Sequence, residues 1–303
     1  MNYVYPKLSQ KDLGFIRLGG AGLGNLLFTY ARALVYARDH GCQMIWPTWP
    51  SVKLGPILRR EMDKRFYNNL FDNHCHAVGG VKKLWLLSTK KRLPEAEAKK
   101  GFANKPDGRI IEFEGLEGCF DEILYDSGYV FENLKQNLKP GNRDALAFDF
   151  RDSIGVHIRL GDFARVSEAE AQAGRHDSAL PVQWYADMIS QVRQAAGREV
   201  RVWIFSDGTE EELKPVLSLP RIQRLTFGTS IADIMALSQV PLLIASGSSF
   251  SMWARYLGRM SCICHTGQMK QRILTERDDA FEWECDGQIS EEIGEKIREL
   301  FAE

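Results

Sequence analysis

A histidine, an arginine and a carboxylate stand together where one apolar run of the sequence ends at a glycine. Residues 153–159 predict a β-strand whose aliphatic side chains share one face, with His157 and Arg159 on the other, and Asp162 follows. In an open α/β sheet, ligands bind at the carboxyl ends of the strands. Arginine carries a permanent charge and a planar donor fork that grips phosphate. The pattern indicates either an anion-binding site or a structural Arg159–Asp162 ion pair beside a satisfied histidine.

A serine-rich segment follows another apolar run. Residues 246–251 lie between a strand predicted at 242–245 and a helix predicted at 250–257. Hydroxyl groups beside a helix N-terminus can bind phosphate oxygens. N-capping by one serine would explain one hydroxyl and not the cluster, so we favour phosphate binding.

A glycine-rich turn, residues 19–24, lies between a strand predicted at 14–18 and a helix predicted at about 25–40. It differs from the dinucleotide fingerprint because Asn25 replaces the third glycine and no acidic residue ends the second strand. It differs from a P-loop because Asn25-Leu26 replaces Lys-Ser/Thr. NAD binding is therefore weakly supported. We interpret the turn as a place where a ligand approaches the backbone, with Asn25 capping or hydrogen-bonding at the helix N-terminus.

Strands and helices alternate along most of the chain and predict an α/β fold. In the first half we predict further strands at 43–46 and 110–113 and a helix at 129–138. The second half predicts a doubly wound parallel sheet, with strands at 153–159, 200–205, 222–226, 242–245 and 262–265 and helices at 181–193, 210–217, 231–238 and 250–257. Each half opens with a strand that ends at a potential ligand-binding turn. Two Rossmann-like domains facing across a cleft, 1–150 and 151–303, would explain this duplication.

The overall charge excludes some partners. With 39 Lys plus Arg and 40 Asp plus Glu, the net charge of −1 provides no global attraction for nucleic acid or for an anionic membrane. The first residues do not resemble a secretory signal, and no apolar run is long enough for a membrane span, so we expect a cytoplasmic protein. The basic stretch 82–92 is interpreted as a solvated face rather than a binding patch.

The cysteine pattern does not predict a metal site. The six cysteines are scattered, which favours reduced and mostly buried thiols. Cys262 and Cys264 lie at a spacing of two in a predicted strand, so they would share one face as small core residues. The sequence also contains no Asp-x-Asp pair. We therefore expect neither a bound metal nor another cofactor.

Several motifs occur in the same order as in the bacterial α-1,2-fucosyltransferases, and the chain resembles that family over most of its length. The family is glycosyltransferase family 11-like, within the wider clan of enzymes that use GDP-fucose. The resemblance is carried by residues 22–25, 28–31, 157–162, 180–185, 205–207 and 248–253.

The resemblance implies a GT-B glycosyltransferase that moves fucose from GDP-fucose to an oligosaccharide with inversion and without a metal. The donor would bind the C-terminal domain and the acceptor mainly the N-terminal domain, with the last helix a candidate to pack back on the latter. Peripheral association with a membrane and the oligomeric state stay open. So do two alternatives: a non-catalytic nucleotide- or glycan-binding protein, and a glycosyltransferase that uses another sugar nucleotide.

The resemblance also implies residue roles. Arg159 would hold the pyrophosphate, His157 would contact the nucleoside and Asp233 would recognise guanine, although Asp233 could instead be a helix-capping acid. The full predicted set comprises catalytic Arg159 and Asp162, and donor-binding His157, Arg159, Asp207, Asp233, Ser248, Ser249, Phe250, Gly24 and Asn25.

The acceptor hydroxyl could need a general base, and Asp162, His176 or another carboxylate could serve. Asp162 could equally orient Arg159, and we slightly prefer that role.

Three positions depart from the family pattern. Leu160 replaces a second arginine, Leu26 replaces a glutamine and Gly247 replaces an asparagine. The loss of one cation suggests either weaker phosphate binding or compensation by a residue such as Arg165.

Overall fold

The structure is a computed structural model that describes residues 1–52, 65–100, 108–161, 163–165, 169–170, 173 and 178–302. The chain divides into two compact units, Met1–Arg143 and Asp144–Glu303. Asp162 and His176 lie outside the described residues. Within the described part of the chain, every helix is too short or too polar to cross a lipid bilayer.

The first unit contains a parallel sheet with the order β4-β1-β7-β6 and a small sheet with the order β2-β3-β5. Its strands are β1 (Tyr3–Pro6), β2 (Lys11–Asp12), β3 (Arg17–Leu18), β4 (Gln43–Met44), β5 (Ser51–Val52), β6 (Arg92–Pro94) and β7 (Ile110–Phe113). Its helices are α1 (Leu23–Asp39), α2 (Gly80–Thr89), α3 (Glu95–Lys99) and α4 (Ser127–Asn137).

The strand predicted at 14–18 is wrong in extent and in place. Only β3 forms there, and it pairs antiparallel with β2 outside the main sheet. The strand that enters the main sheet is β1, which the sequence analysis missed because its short apolar run ends at Pro6. The strand that pairs in parallel with β4 is β1, so the parallel connection through α1 starts from β1 and not from residues 14–18.

The second unit has a sheet whose described strands run in parallel in the order β12-β11-β8-β13-β14-β15. The strands are β8 (Ser153–Ile158), β9 (Ala164–Arg165), β10 (Ser178–Ala179), β11 (Arg201–Ser206), β12 (Ile222–Arg224), β13 (Leu242–Ala245), β14 (Ser261–Cys264) and β15 (Glu282–Glu284); β9 and β10 form a separate pair. The helices are α5 (Asp144–Ala147), α6 (Val182–Ala196), α7 (Lys214–Leu217), α8 (Ser230–Leu237), α9 (Ser249–Gly258) and α10 (Glu291–Leu300).

These elements confirm the predicted parallel sheet with two corrections. The helix predicted at 210–217 shortens to α7, because Pro215 belongs in the first turn of a helix. The strand β15 was missed, because its two glutamates and short length resemble a loop.

The central strand β8 separates two cores. Its Ile154, Val156 and Ile158 pack in one cluster with residues of α6 and α10. The opposite cluster contains Phe205, Ala245 and the small side chains of Cys262 and Cys264. The expected alternation of faces along β8 is therefore confirmed.

The last helix belongs to the first of these cores. Ile293 and Ile297 of α10 are buried in the same cluster as Val192 of α6. This helix therefore packs inside the second unit.

Candidate active site

Three segments of the second unit leave its sheet at the same edge. Strand β8 lies between β11 and β13, and His157 pairs in register with Phe205 on one side and Ala245 on the other. The segments that follow β8, β11 and β13 therefore lie next to one another at the carboxyl ends of these strands. This is the edge at which parallel α/β sheets bind ligands.

Arg159 and Asp207 meet at this edge. Arg159 Nη1 lies 2.6 Å from Asp207 Oδ2, and the Leu160 backbone N–H donates to Asp207 Oδ1 at 2.9 Å. About a quarter of the Arg159 side chain stays exposed, at 24%. Asp207, predicted to bind the donor, thus fixes the guanidinium, which is the orienting role that the sequence slightly favours for Asp162.

Gly161 makes this arrangement possible. A β-carbon at residue 161 would lie 2.4 Å from Asp207 Oδ2. A side chain fits there only if the carboxylate moves, so glycine lets Asp207 keep the position in which it pairs with Arg159.

His157 is buried and holds the start of α9. Its Nδ1 lies 2.7 Å from Ser251 Oγ and 3.0 Å from Ser246 Oγ, and its ring stacks on Phe250 with centroids 4.5 Å apart. Burial lowers the pKa of His157 to about 3, so the imidazole is neutral near pH 7. These contacts position α9, and the contact of His157 with the nucleoside stays a prediction.

The serine cluster divides into buried and accessible members. Ser248 is the N-cap of α9 and accepts from the Ser251 backbone N–H at 3.5 Å, while Ser249 opens the helix and is partly exposed. We had not assigned roles to Ser246 and Ser251. A buried histidine needs a polar partner. That rule could have identified Ser246 and Ser251 as partners of His157.

Two departures from the family pattern have visible consequences. A β-carbon on Gly247 would lie 2.5 Å from Gln268 Oε1, so this glutamine occupies the space of a larger side chain. Leu160 packs against the core that contains Ile158. Arg165, suggested as a compensating cation, pairs with Glu212 at 2.7 Å and is 83% exposed.

Asp233 lies in the first turn of α8, near the end of β12. Its carboxylate accepts from the Phe227 backbone N–H at 2.6 Å and from Thr226 Oγ1 at 3.0 Å. The N-cap is Thr229, which accepts from the Ala232 backbone N–H, and Asp233 is the acidic residue of the first turn, so both its guanine role and its role as a helix-terminal acid stay predictions. Burial raises the pKa of Asp233 to about 6.

In the first unit, Gly24 and Asn25 lie in the first turn of α1. The helix begins two residues before its predicted start, with Gly22 as N-cap and no side-chain cap. The predicted capping by Asn25 is therefore wrong, and its backbone N–H instead donates to Gly22 O at 3.1 Å. The turn itself needs glycine, since Gly20 has a φ of 98°.

The first unit also has a cavity of about 300 Å³ beside β4. Its lining includes the aromatic residues Tyr30, Trp46 and Tyr129, together with Arg38 and Asn133. The predicted site residues are not among those that line it.

Comparison with known proteins identifies the family of this chain. The sequence pattern of glycosyl transferase family 11 matches residues 90–285, which is well over half of the chain. The chain belongs to this family. It is therefore a glycosyltransferase, as the motif resemblance predicted, and an enzyme rather than a non-catalytic binding protein.

The fold is similar to that of solved fucosyltransferases. The fucosyltransferase NodZ from Bradyrhizobium is 15% identical, with 84% of this chain and 91% of that chain covered and a TM-score of 0.51. NodZ alpha-1,6-fucosyltransferase co-crystallised with GDP gives the same identity and coverage with a TM-score of 0.50. A search of curated proteins found no match. This family 11 chain thus has an α/β fold with parallel sheets, similar to fucosyltransferases.

Proposed function

We propose that this family 11 enzyme transfers fucose from GDP-fucose to a hydroxyl of an oligosaccharide, with inversion at the sugar carbon. The observation that carries the proposal is the Arg159–Asp207 pair beside the serine-capped N-terminus of α9, at the carboxyl edge of one parallel sheet. A diphosphate needs a fixed cation and aligned backbone N–H groups, and this edge supplies both.

The charges that develop during the reaction fit these groups. When the bond between the sugar C1 and the phosphate oxygen breaks, the electron pair leaves with GDP and positive charge develops on the ring. Arg159 and the α9 N-terminus stabilise the departing diphosphate. The acceptor oxygen forms its bond to C1 from the opposite face and loses its proton to a base.

Each predicted residue has a role in this proposal. Arg159, Ser248, Ser249 and the Phe250 backbone N–H bind the diphosphate, while Asp207 orients Arg159. His157 positions α9 through Ser251 and Phe250. Asp233 binds the guanine edge, and Gly24 and Asn25 contribute from the first unit. Asp162, His176 or another carboxylate acts as the base.

The proposal also covers the arrangement of the two units and the cellular location of the protein. The donor binds the C-terminal unit and the oligosaccharide mainly the N-terminal unit, across a GT-B cleft, in the cytoplasm. The similarity in fold to a NodZ structure co-crystallised with GDP supports the choice of donor nucleotide. The α-1,2 linkage rests on the motif resemblance.

Metal independence is also proposed. The sequence has no Asp-x-Asp pair, and the permanent charge of Arg159 can balance part of the diphosphate charge. Transfer should therefore persist when EDTA is present, and a strict requirement for Mn²⁺ or Mg²⁺ would contradict this part.

A transfer assay tests the whole proposal. The purified enzyme is incubated with a galactose-terminated oligosaccharide and GDP-fucose, GDP-mannose or UDP-galactose, and products are followed by mass spectrometry. We expect a gain of one deoxyhexose with GDP-fucose alone. NMR of the product then reports the linkage and the anomeric configuration, which should be opposite to that of the donor. Transfer from UDP-galactose only would retain a glycosyltransferase and reject fucose.

A further inference from the structure

Five large apolar side chains are exposed in two neighbouring segments of the first unit. Val81 exposes 83% of its surface, Phe15 64%, Leu13 55%, Trp85 53% and Leu84 40%. We call these five residues the apolar surface. Contiguous exposed side chains of this size usually mark an interaction site.

The two segments touch each other. A turn at Gly14 joins β2 to β3 and carries two of the five residues, while α2 carries the other three along one face at three- and four-residue spacing. A β-carbon built on Gly14 would lie 2.7 Å from Leu84 Cδ2. The turn therefore rests directly on α2, and the five side chains form one surface.

The opposite face of α2 already attaches the helix to its unit. Leu86 is fully buried in a cluster with Tyr5, and the buried Lys83 donates from Nζ to Thr48 Oγ1 at 2.8 Å. The prediction of a solvated face was therefore wrong for Lys83. Because α2 is anchored by this face, its exposed apolar side chains are not needed to hold it in place.

Basic residues lie on the exposed side of α2, at Lys82, and directly after the helix, at Lys90 and Lys91. Residues 80–92 contain five lysines and arginines and no acidic residue, in a chain whose net charge is −1. Arg92 is paired with Glu112, but Lys82, Lys90 and Lys91 have no acidic partner among the described residues. Lys90 Nζ lies 5.4 Å from the centroid of the Trp85 ring.

We propose that the apolar surface and these three lysines dock the enzyme on an anionic lipid bilayer. The aliphatic tips and the Phe15 ring enter the boundary of the acyl chains, the Trp85 indole lies at the level of the headgroups, and the lysines bind phosphate. A second copy of the chain is a poorer occupant, because a two-fold interface would bring the same unpaired lysines together.

Vesicle sedimentation tests the apolar part. The full-length protein, without sugar nucleotide or acceptor, is mixed with vesicles of phosphatidylcholine plus phosphatidylglycerol, or of phosphatidylcholine alone. We expect binding to the anionic vesicles that weakens with salt. The double variant Phe15→Ser/Trp85→Ser should bind roughly tenfold less. Leu116→Ser, which changes an exposed side chain elsewhere in the same unit, should behave as wild type.

A charge pair of variants tests the electrostatic part. Lys82→Glu/Lys91→Glu should lose binding to anionic vesicles, whereas Lys296→Glu on the exposed side of α10 should retain it. Thermal melts check that all variants are folded. Absence of wild-type binding, or equal binding by Phe15→Ser/Trp85→Ser and wild type, would overturn the proposal.

Fluorescence quenching tests directly whether Trp85 contacts the lipid. Lipids with brominated acyl chains should quench the Trp85 emission, and Trp85→Phe should bind the vesicles but lose this quenching. A dimer in sedimentation velocity that Phe15→Ser/Trp85→Ser dissociates would instead assign the surface to a second copy and refute lipid docking. These measurements involve no sugar transfer, so their outcome is independent of the donor assay.

Discussion

Arg159 and Asp207 form a 2.6 Å ion pair across the carboxyl ends of two adjacent parallel strands, β8 and β11. A second pair, Arg198–Asp152, joins the segments that precede the same two strands, at 2.5 Å. The two pairs have the same chemistry at opposite edges of one sheet. They can therefore distinguish a role in binding from a role in stability.

Arg159→Ala should weaken GDP binding by roughly tenfold to a hundredfold, since a charge-assisted contact to phosphate is lost. Calorimetric titration with GDP measures this effect, with UDP and ADP as controls. Arg198→Ala should leave GDP affinity unchanged and lower stability by roughly 1–2 kcal/mol, because it removes the partly exposed pair with Asp152 and the hydrogen bonds that Arg198 donates to Phe301 O. Equal GDP affinity of Arg159→Ala and wild type would refute the diphosphate site.

Gly161→Ala should disturb the same site without removing a charge. The new β-carbon would lie 2.4 Å from Asp207 Oδ2 and would displace the carboxylate that holds Arg159. We expect kcat/KM to fall roughly tenfold to a hundredfold, since small displacements at a reacting centre are costly. Gly287→Ala is the matched control, because no atom lies within 4 Å of a β-carbon there. Full activity of Gly161→Ala would show that the pair tolerates movement.

The buried His157 should make stability depend on pH. Burial lowers its pKa from 6.5 to about 3 in the folded state, so between these values the unfolded chain binds the extra proton. Stability should therefore decrease as the pH falls below about 6.5, by at most about 1.4 kcal/mol per pH unit from this group. Urea unfolding of His157→Asn at several pH values should show a flatter dependence than wild type. The exposed His74→Asn should keep the wild-type slope, and a parallel slope for His157→Asn would contradict the assignment.

Asp233 should control the choice between GDP and IDP. Inosine lacks the 2-amino group that a carboxylate accepts from guanine, so wild type should prefer GDP and Asp233→Asn should lose this preference. Because the pKa of Asp233 is raised to about 6, the preference should also decline as the pH falls through 6 and the carboxyl becomes protonated. Thr226→Val removes one hydrogen bond to this carboxylate and retains its charge, so it should keep the preference. If the ratio of GDP affinity to IDP affinity is the same in Asp233→Asn as in wild type, Asp233 only holds the loop before α8 and does not bind guanine.

Four strands of the second half, β8, β11, β13 and β14, were predictable because each is a mainly apolar run followed by a polar turn. β13 has its predicted bounds, and β8, β11 and β14 differ by one residue at their ends. Helix α1 was also predicted, since apolar residues recur at three- and four-residue spacing over several turns, although the structure buries it on nearly every side. The strands β1 and β15 were not predicted, because both are short and give a weak local pattern. The strand β3 lies in a small sheet and not in the main sheet in which the sequence pattern placed it.

The sequence by itself determined the alternating α/β pattern, the family motifs and the set of polar residues that follow the strands. Only the tertiary structure decided which of these residues meet: Arg159 with Asp207, His157 with Ser246 and Ser251, and Asp233 with the loop before α8. The physical reason is that hydrophobic periodicity is a local property of the chain. Partners across a parallel sheet are set by strand order and register, which arise from contacts between segments far apart in sequence.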